Sequence, residues 1–246
     1  NAASSAETVV AADTSTDAAY GDKVPSTNPA DKRDALFVDW PKPQVALVFS
    51  GEQDGYLEPC GCAGLHNQKG GLKRRMTLLE QLRGEGWPVV ALDAGGLTKR
   101  SGPQEEIKMR RMLESFVDLG YQVAGLGTPE LGMDMLSVAV NLDPSTNPLT
   151  SANVGLVDFG TGFTNRYKLV EAGGKKIGVT SVLGAKEVDS LKNASDLVLM
   201  PPDQALEEVL PELQEAKCDQ LVLLVYGDAE EARRLAVKFP HFQWVV

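Results

Sequence analysis

Apolar residues recur along this chain in two alternating rhythms. Short, largely apolar runs at residues 45–49, 88–92, 123–126 and 220–225 read as buried strands. Between them the apolar positions fall three and four residues apart. Leu72, Met76, Leu79 and Leu82 make one such stripe, ending at Gly84. Ile107, Met109, Met112, Leu113, Phe116 and Leu119 make another, closed by Gly120. Each stripe predicts a helix with one face on a core. Residues 202–216 and 229–238 repeat the helical pattern, and 149–154 and 242–246 are expected to be further strands. Residues 166–171 and 175–182, joined by Gly173-Gly174, predict a hairpin with a tight turn. Strand–helix alternation with one internal hairpin predicts an α/β fold whose sheets are mixed and mostly parallel.

The first 42 residues break this pattern. They are rich in Ala, Ser, Thr and Asp, carry Pro25, Pro29 and Pro41, and offer little to bury besides Phe37, Val38 and Trp40. A disordered linker of an exported protein is expected over 1–42, and a folded domain over 43–246. The chain opens on Asn1 and stops within its last expected strand, so a fragment truncated at the C-terminus is also expected. With 34 acidic against 24 basic residues the net charge is -10, which argues against nucleic-acid backbones and anionic membranes as partners. No apolar run approaches the roughly 18 residues that would read as a transmembrane segment.

Candidate chemistry concentrates in the loop after residues 45–49. In α/β folds ligands gather at the carboxyl ends of strands. Glu52 and Asp54 stand there, followed by Glu58, Cys60, Cys62 and His66, and then by Gly70, Gly71, Lys73, Arg74 and Arg75. Glu52 and Asp54 suit one hard divalent ion, and are also ordinary turn residues before a glycine. Cys60, Cys62 and His66 admit three readings. They are soft ligands for zinc or copper, a readily reduced redox pair, or a static disulfide or inert thiols. Gly70, Gly71 and Arg74 could cradle an anion at a helix start, or form a solvated helix face. Cys218 is expected in the core and His241 in a loop. No Cys-x-x-Cys-His is present, so no covalent c-type haem is expected in these 246 residues.

The order of several short motifs adds a resemblance. They are Leu57-Glu58-Pro59, Gly70-Gly71-Leu72-Lys73-Arg74, Leu92-Asp93-Ala94-Gly95-Gly96, Gly120-Tyr121, Gly125-Leu126-Gly127-Thr128-Pro129-Glu130 and Ser151-Ala152-Asn153. Over about residues 44–246 the chain resembles the N-terminal domain of bacterial 5′-nucleotidases, in the calcineurin-like metallophosphoesterase superfamily. The resemblance implies a four-layer α/β/β/α sandwich. It also implies two divalent metal ions, held by Asp, His and Asn, that polarise a small-molecule phosphate ester and activate a water.

Matched residue by residue, the family's Asp-x-His falls on Glu52-Gln53-Asp54 and its bridging Asp on Gly96. Its Asn-His falls on Thr128-Pro129, a later His near Tyr226, and a further metal ligand on Asn153. A final Gly-His-x-His would lie beyond Val246. Only His66 and His241 could supply imidazole. The expectation is a retained fold with an eroded dinuclear site. The domain would be a binding or thiol-redox module built on Glu52, Asp54, Cys60, Cys62 and His66. The rival is an active metal-dependent phosphoesterase with a rearranged site. The resemblance further implies an extracytoplasmic protein with a cytochrome or other redox partner.

Overall fold

The computed structural model describes residues 37, 39–59, 70–140, 142–159 and 162–246. Three parallel strands, β1 (Ala46–Ser50), β2 (Val89–Asp93) and β3 (Tyr121–Ala124), form one sheet in that order. Helices α1 (Leu72–Gly84) and α2 (Pro103–Asp118) are the crossovers between them. Two short helices follow, α3 (Thr128–Leu131) and α4 (Met135–Ala139), and then β4 (Val154–Leu156).

The second large sheet starts with the hairpin of β5 (Lys168–Ala172) and β6 (Lys175–Leu183). After α5 (Ala185–Ser190) comes β7 (Leu197–Leu199), which pairs antiparallel with β4. Helix α6 (Pro202–Glu215), β8 (Gln220–Tyr226), α7 (Ala229–Lys238) and β9 (Trp244–Val245) complete the order. The sheet runs β5-β6-β8-β9, with every neighbour parallel except the hairpin.

Alternation along the strands builds the layers. In β2, Val90 and Leu92 pack with Val179, Val222 and Leu224 of the other sheet. The intervening Ala91 faces Leu79, Met109 and Phe116 beneath α1 and α2. In β8, Leu223 and Val225 face Leu206, Val209 and Leu213 of α6 and Leu235 of α7. Side chains of period two thus bury one face against the partner sheet and the other against helices. The result is the expected α/β/β/α sandwich of mixed, mostly parallel sheets. Residues Trp40–Val246 cluster as one compact unit.

Two expectations shift. The strand expected at 149–154 is confined to Val154–Leu156; Leu149 and Thr150 make only isolated bridges, to Ala124 and Asn165. The side chains of Ser151 and Asn153 take hydrogen bonds there that a strand ladder would otherwise supply. Strand β3 starts two residues earlier than its apolar run, at Tyr121, which stacks on Phe116 at 4.2 Å. No helix among the described residues is long and apolar enough to cross a membrane.

Candidate functional site

The loops after β1, β2, β3 and β8 converge at the carboxyl ends of both large sheets. The first is zipped to the second through its backbone. Glu52 N–H donates to Gly95 O (2.8 Å), Asp54 N–H to Gly96 O (3.1 Å) and Gly55 N–H to Leu97 O (2.8 Å). To make these bonds, Glu52 and Asp54 both adopt left-handed backbone, with φ of 48° and 54°. That conformation costs a non-glycine residue free energy, so the surrounding contacts must hold it.

Gln53, between them, is the anchor. It is buried, and its amide nitrogen donates to Asp93 Oδ2 at 2.6 Å. Its amide oxygen accepts from Arg75 Nη2. Asp93 is fully buried at the end of β2, where Ser50 Oγ (2.6 Å) and the Gly95 N–H (2.9 Å) complete its shell. Ser50 also bonds the Tyr121 hydroxyl at 3.0 Å, and the Arg75 guanidinium lies 5.9 Å above the Tyr121 ring. Burial pushes the Asp93 carboxyl above the ordinary carboxylate range, against the pull of its donors. The exposed Glu52 and half-exposed Asp54 are thereby turned outward, Asp54 lying 3.7 Å from Lys99.

A second buried carboxylate braces the loops after β2 and β3. Glu130 accepts from Thr98 N–H (2.6 Å) and Thr98 Oγ1 (3.2 Å) on one oxygen and from Gly127 N–H (2.6 Å) on the other. Burial raises its proton affinity too. Its role is structural, as its position after Thr128-Pro129 suggests.

Gly96, Gly127 and Thr128 meet the last residue of β8. A Cβ on Gly96 would lie 3.1 Å from Tyr226 Cε2, and one on Gly127 2.8 Å from it. Burial first, and then the nearby Glu130, holds the phenol proton above the usual tyrosine range.

Other predicted residues sit elsewhere or are occupied. Asn153 is fully buried. Its oxygen accepts from Leu183 N–H (2.9 Å) and Ser151 Oγ (3.2 Å), while its nitrogen donates to the carbonyls of Leu183 (2.8 Å) and Met200 (3.2 Å). Those four bonds use the whole amide. Gly71 caps α1 at φ 84°, where a Cβ would lie 2.6 Å from Pro59 N, so the approach requires glycine. Gly70 beside it is exposed. Arg75, the neighbour of Arg74, reaches the strand ends through the bond to Gln53. Cys60, Cys62 and His66 lie outside the described residues. Cys218 packs partly buried under α6, and His241 is exposed. Among the described residues no group of three or more His, Cys, Asp and Glu is placed to hold a metal ion.

The roles of the buried Gln53 and Asp93 and of the half-buried Tyr226 were not visible in the sequence. The one available signal was Asp93, a charged residue closing an apolar run.

Comparison with known proteins places this architecture. No family model matches the chain. The snake venom 5′-nucleotidase of Gloydius brevicauda is 25% identical over 175 residues, 69% of this chain and 30% of the relative. The 5′-nucleotidase precursor from Thermus thermophilus superposes with a TM-score of 0.62 at 20% identity, covering 77% of this chain and 38% of that one. The sulfate thiohydrolase SoxB of Thermus thermophilus, in complex with glycerol, superposes at 0.63 with 14% identity, covering 82% and 47%. This chain therefore spans less than half the length of each. Its fold is that of the N-terminal domain of 5′-nucleotidases and calcineurin-like phosphoesterases.

Proposed function

We propose that this chain is a binding or thiol-redox domain on the metallophosphoesterase fold and not a two-metal hydrolase. Gly96 carries the reading. It stands where the family places the carboxylate that bridges both ions, and it offers no donor. Its surroundings are crowded as well, because a Cβ there would meet Glu52 Cα and Tyr226 Cε2 at 3.1 Å. A two-metal clamp needs ligands for both ions on either side of the reacting phosphorus. Here Thr128-Pro129 replaces the amide–imidazole pair, and the Asn153 amide is committed within the protein. These residues do not fit a pair of divalent ions.

Binding then falls to the carboxylates presented outward at the strand ends, Glu52 and Asp54. Redox work falls to Cys60 and Cys62 with His66, in partnership with a cytochrome-type electron carrier. An extracytoplasmic location, where such a thiol pair can cycle, is part of the same reading and is supported by the Ala/Ser/Asp-rich first 42 residues.

The test is an assay of the purified chain on nucleotides and bis-nitrophenyl phosphate with millimolar Mn²⁺, beside thiol titration before and after reduction. No turnover, together with a rise in titratable thiols on reduction, is the expected result. Metal-dependent turnover abolished by Glu52→Ala would establish the phosphoesterase reading in its place.

A further inference from the structure

We propose that Tyr226 does by packing what the family's ions do by coordination: it locks together the loops at the carboxyl ends of the two sheets and fills the place of a metal. The proposal rests on the reading of a domain without a two-metal centre, and names the residue responsible.

The lock has a defined geometry. Tyr226 ends β8, and its carbonyl accepts from Gly184 N–H at 2.8 Å, which fixes the residue at the rim of the second sheet. Its ring reaches across to the first sheet. There the ring edge lies against Gly96, after β2, and Gly127, after β3. Any Cβ at Gly127 would sit 2.8 Å from two ring carbons and from Glu130 Oε2. A bare backbone is what allows the approach. Beside the ring, Glu130 ties Gly127 to Thr98. One ring thus contacts the ends of β2, β3 and β8.

The same geometry excludes an ion. Magnesium and calcium need oxygen ligands at about 2.0–2.6 Å on several sides. Glu130 already spends both oxygens on N–H and O–H donors, and Gly96 and Gly127 bring no side chain. An ion at this place would have to displace the ring. The junction should therefore be stable without metal, where a metal-bridged junction would loosen on chelation.

Thermal unfolding of the whole chain, in EDTA and across a Mn²⁺ titration, tests this. The wild-type midpoint is expected to be the same in both. Tyr226→Phe, which keeps the ring, should leave it within about 2 °C of wild type. Tyr226→Ala should lower it by about 5–10 °C. The pair Gly96→Asp with Tyr226→His, which returns two donors, should make the midpoint rise with Mn²⁺. A wild-type midpoint that rises with Mn²⁺, two manganese ions held per chain by elemental analysis, or a Tyr226→Ala midpoint equal to wild type would each overturn the proposal. If Tyr226→Ala does not fold, the wild-type titration still decides. A Mn²⁺-dependent midpoint without phosphoester turnover sinks the lock and spares the proposed function. Turnover with an unmoved midpoint does the reverse.

Discussion

Gln53 donates to Asp93 across 2.6 Å, although the two residues stand 40 positions apart in the chain. The bond joins the end of β1 to the end of β2 and sets which way the neighbouring carboxylates point. Gln53 is the only one of residues 52–54 that is buried, and it also accepts from Arg75, so one amide mediates between a buried acid and a partly buried cation. Replacing it with leucine leaves Asp93 short of a donor and Arg75 short of an acceptor. The expected cost is about 2–4 kcal/mol, the range for orphaning buried polar partners where one is charged. Urea denaturation measures it. A loss under about 0.5 kcal/mol, the scale of ordinary surface changes, would show that the relay does not stabilise the fold.

Stability should depend on pH through Glu130 with a definite sign. Burial raises its folded-state proton affinity above the ordinary value, so the folded protein binds this proton more readily than the unfolded chain does. Its contribution therefore declines as pH rises from the ordinary carboxylate value of about 4 toward the raised one. Glu130→Gln removes the titration but sets an amide N–H₂ against a backbone N–H, costing a bond at every pH. The advantage of wild type over this variant should accordingly narrow as pH rises through that window. Paired denaturation curves at several pH values check it; an advantage that widens would refute the assignment. Asp203, held well below the usual range by Arg234 and Lys238, contributes with the opposite sign, so only the difference between variants isolates Glu130.

The layers of this fold were legible because they rest on periodicity. The stripe from Leu72 to Leu82 and the hairpin around Gly173-Gly174 appear in the structure within a residue or two of their expected bounds. Helices α3, α4 and α5 are four to six residues long, too short for a 3.6-residue period to show. The chemistry was less legible. Glu52 and Asp54 drew attention because charged residues stand out after an apolar run. The contacts of Gln53 and Tyr226 were not legible, because they cross from one strand end to another, and contacts at long range leave no rhythm in a sequence. Arg74 drew attention through its place in a motif, yet its neighbour Arg75 makes the bond to Gln53.

Asn153 should be a structural residue of the first rank. Its amide joins the end of β6 at Leu183 to the segment before α6 at Met200, using every donor and acceptor it has. Asn153→Ala removes those bonds and leaves the buried Leu183 N–H and carbonyl, and the half-buried Met200 carbonyl, without this partner, at an expected cost of about 3 kcal/mol. Asn153→Asp should fare no better, because the carboxylate would face two carbonyl oxygens. Thermal midpoints of the two variants decide the matter. If Asn153→Ala keeps its stability but loses divalent-ion binding, the residue is a ligand instead.

Two glycine substitutions separate backbone strain from crowding. Gly84 ends α1 with nothing within 4 Å of an added Cβ, so Gly84→Ala should be neutral or stabilise by about 0.5 kcal/mol. Gly96→Ala meets two penalties: a φ of 75°, and contacts at 3.1 Å with Glu52 Cα and the Tyr226 ring. Its expected cost is about 1–3 kcal/mol. The two penalties respond differently to a second change. Removing the ring with Tyr226→Ala relieves the side-chain crowding but not the strained φ or the backbone contact with Glu52. The cost of Gly96→Ala should therefore shrink, without vanishing, when measured in the Tyr226→Ala background. A double-mutant cycle by urea denaturation gives the coupling directly. Zero coupling would mean that Tyr226 does not press on Gly96, and the ring would then have to be placed elsewhere.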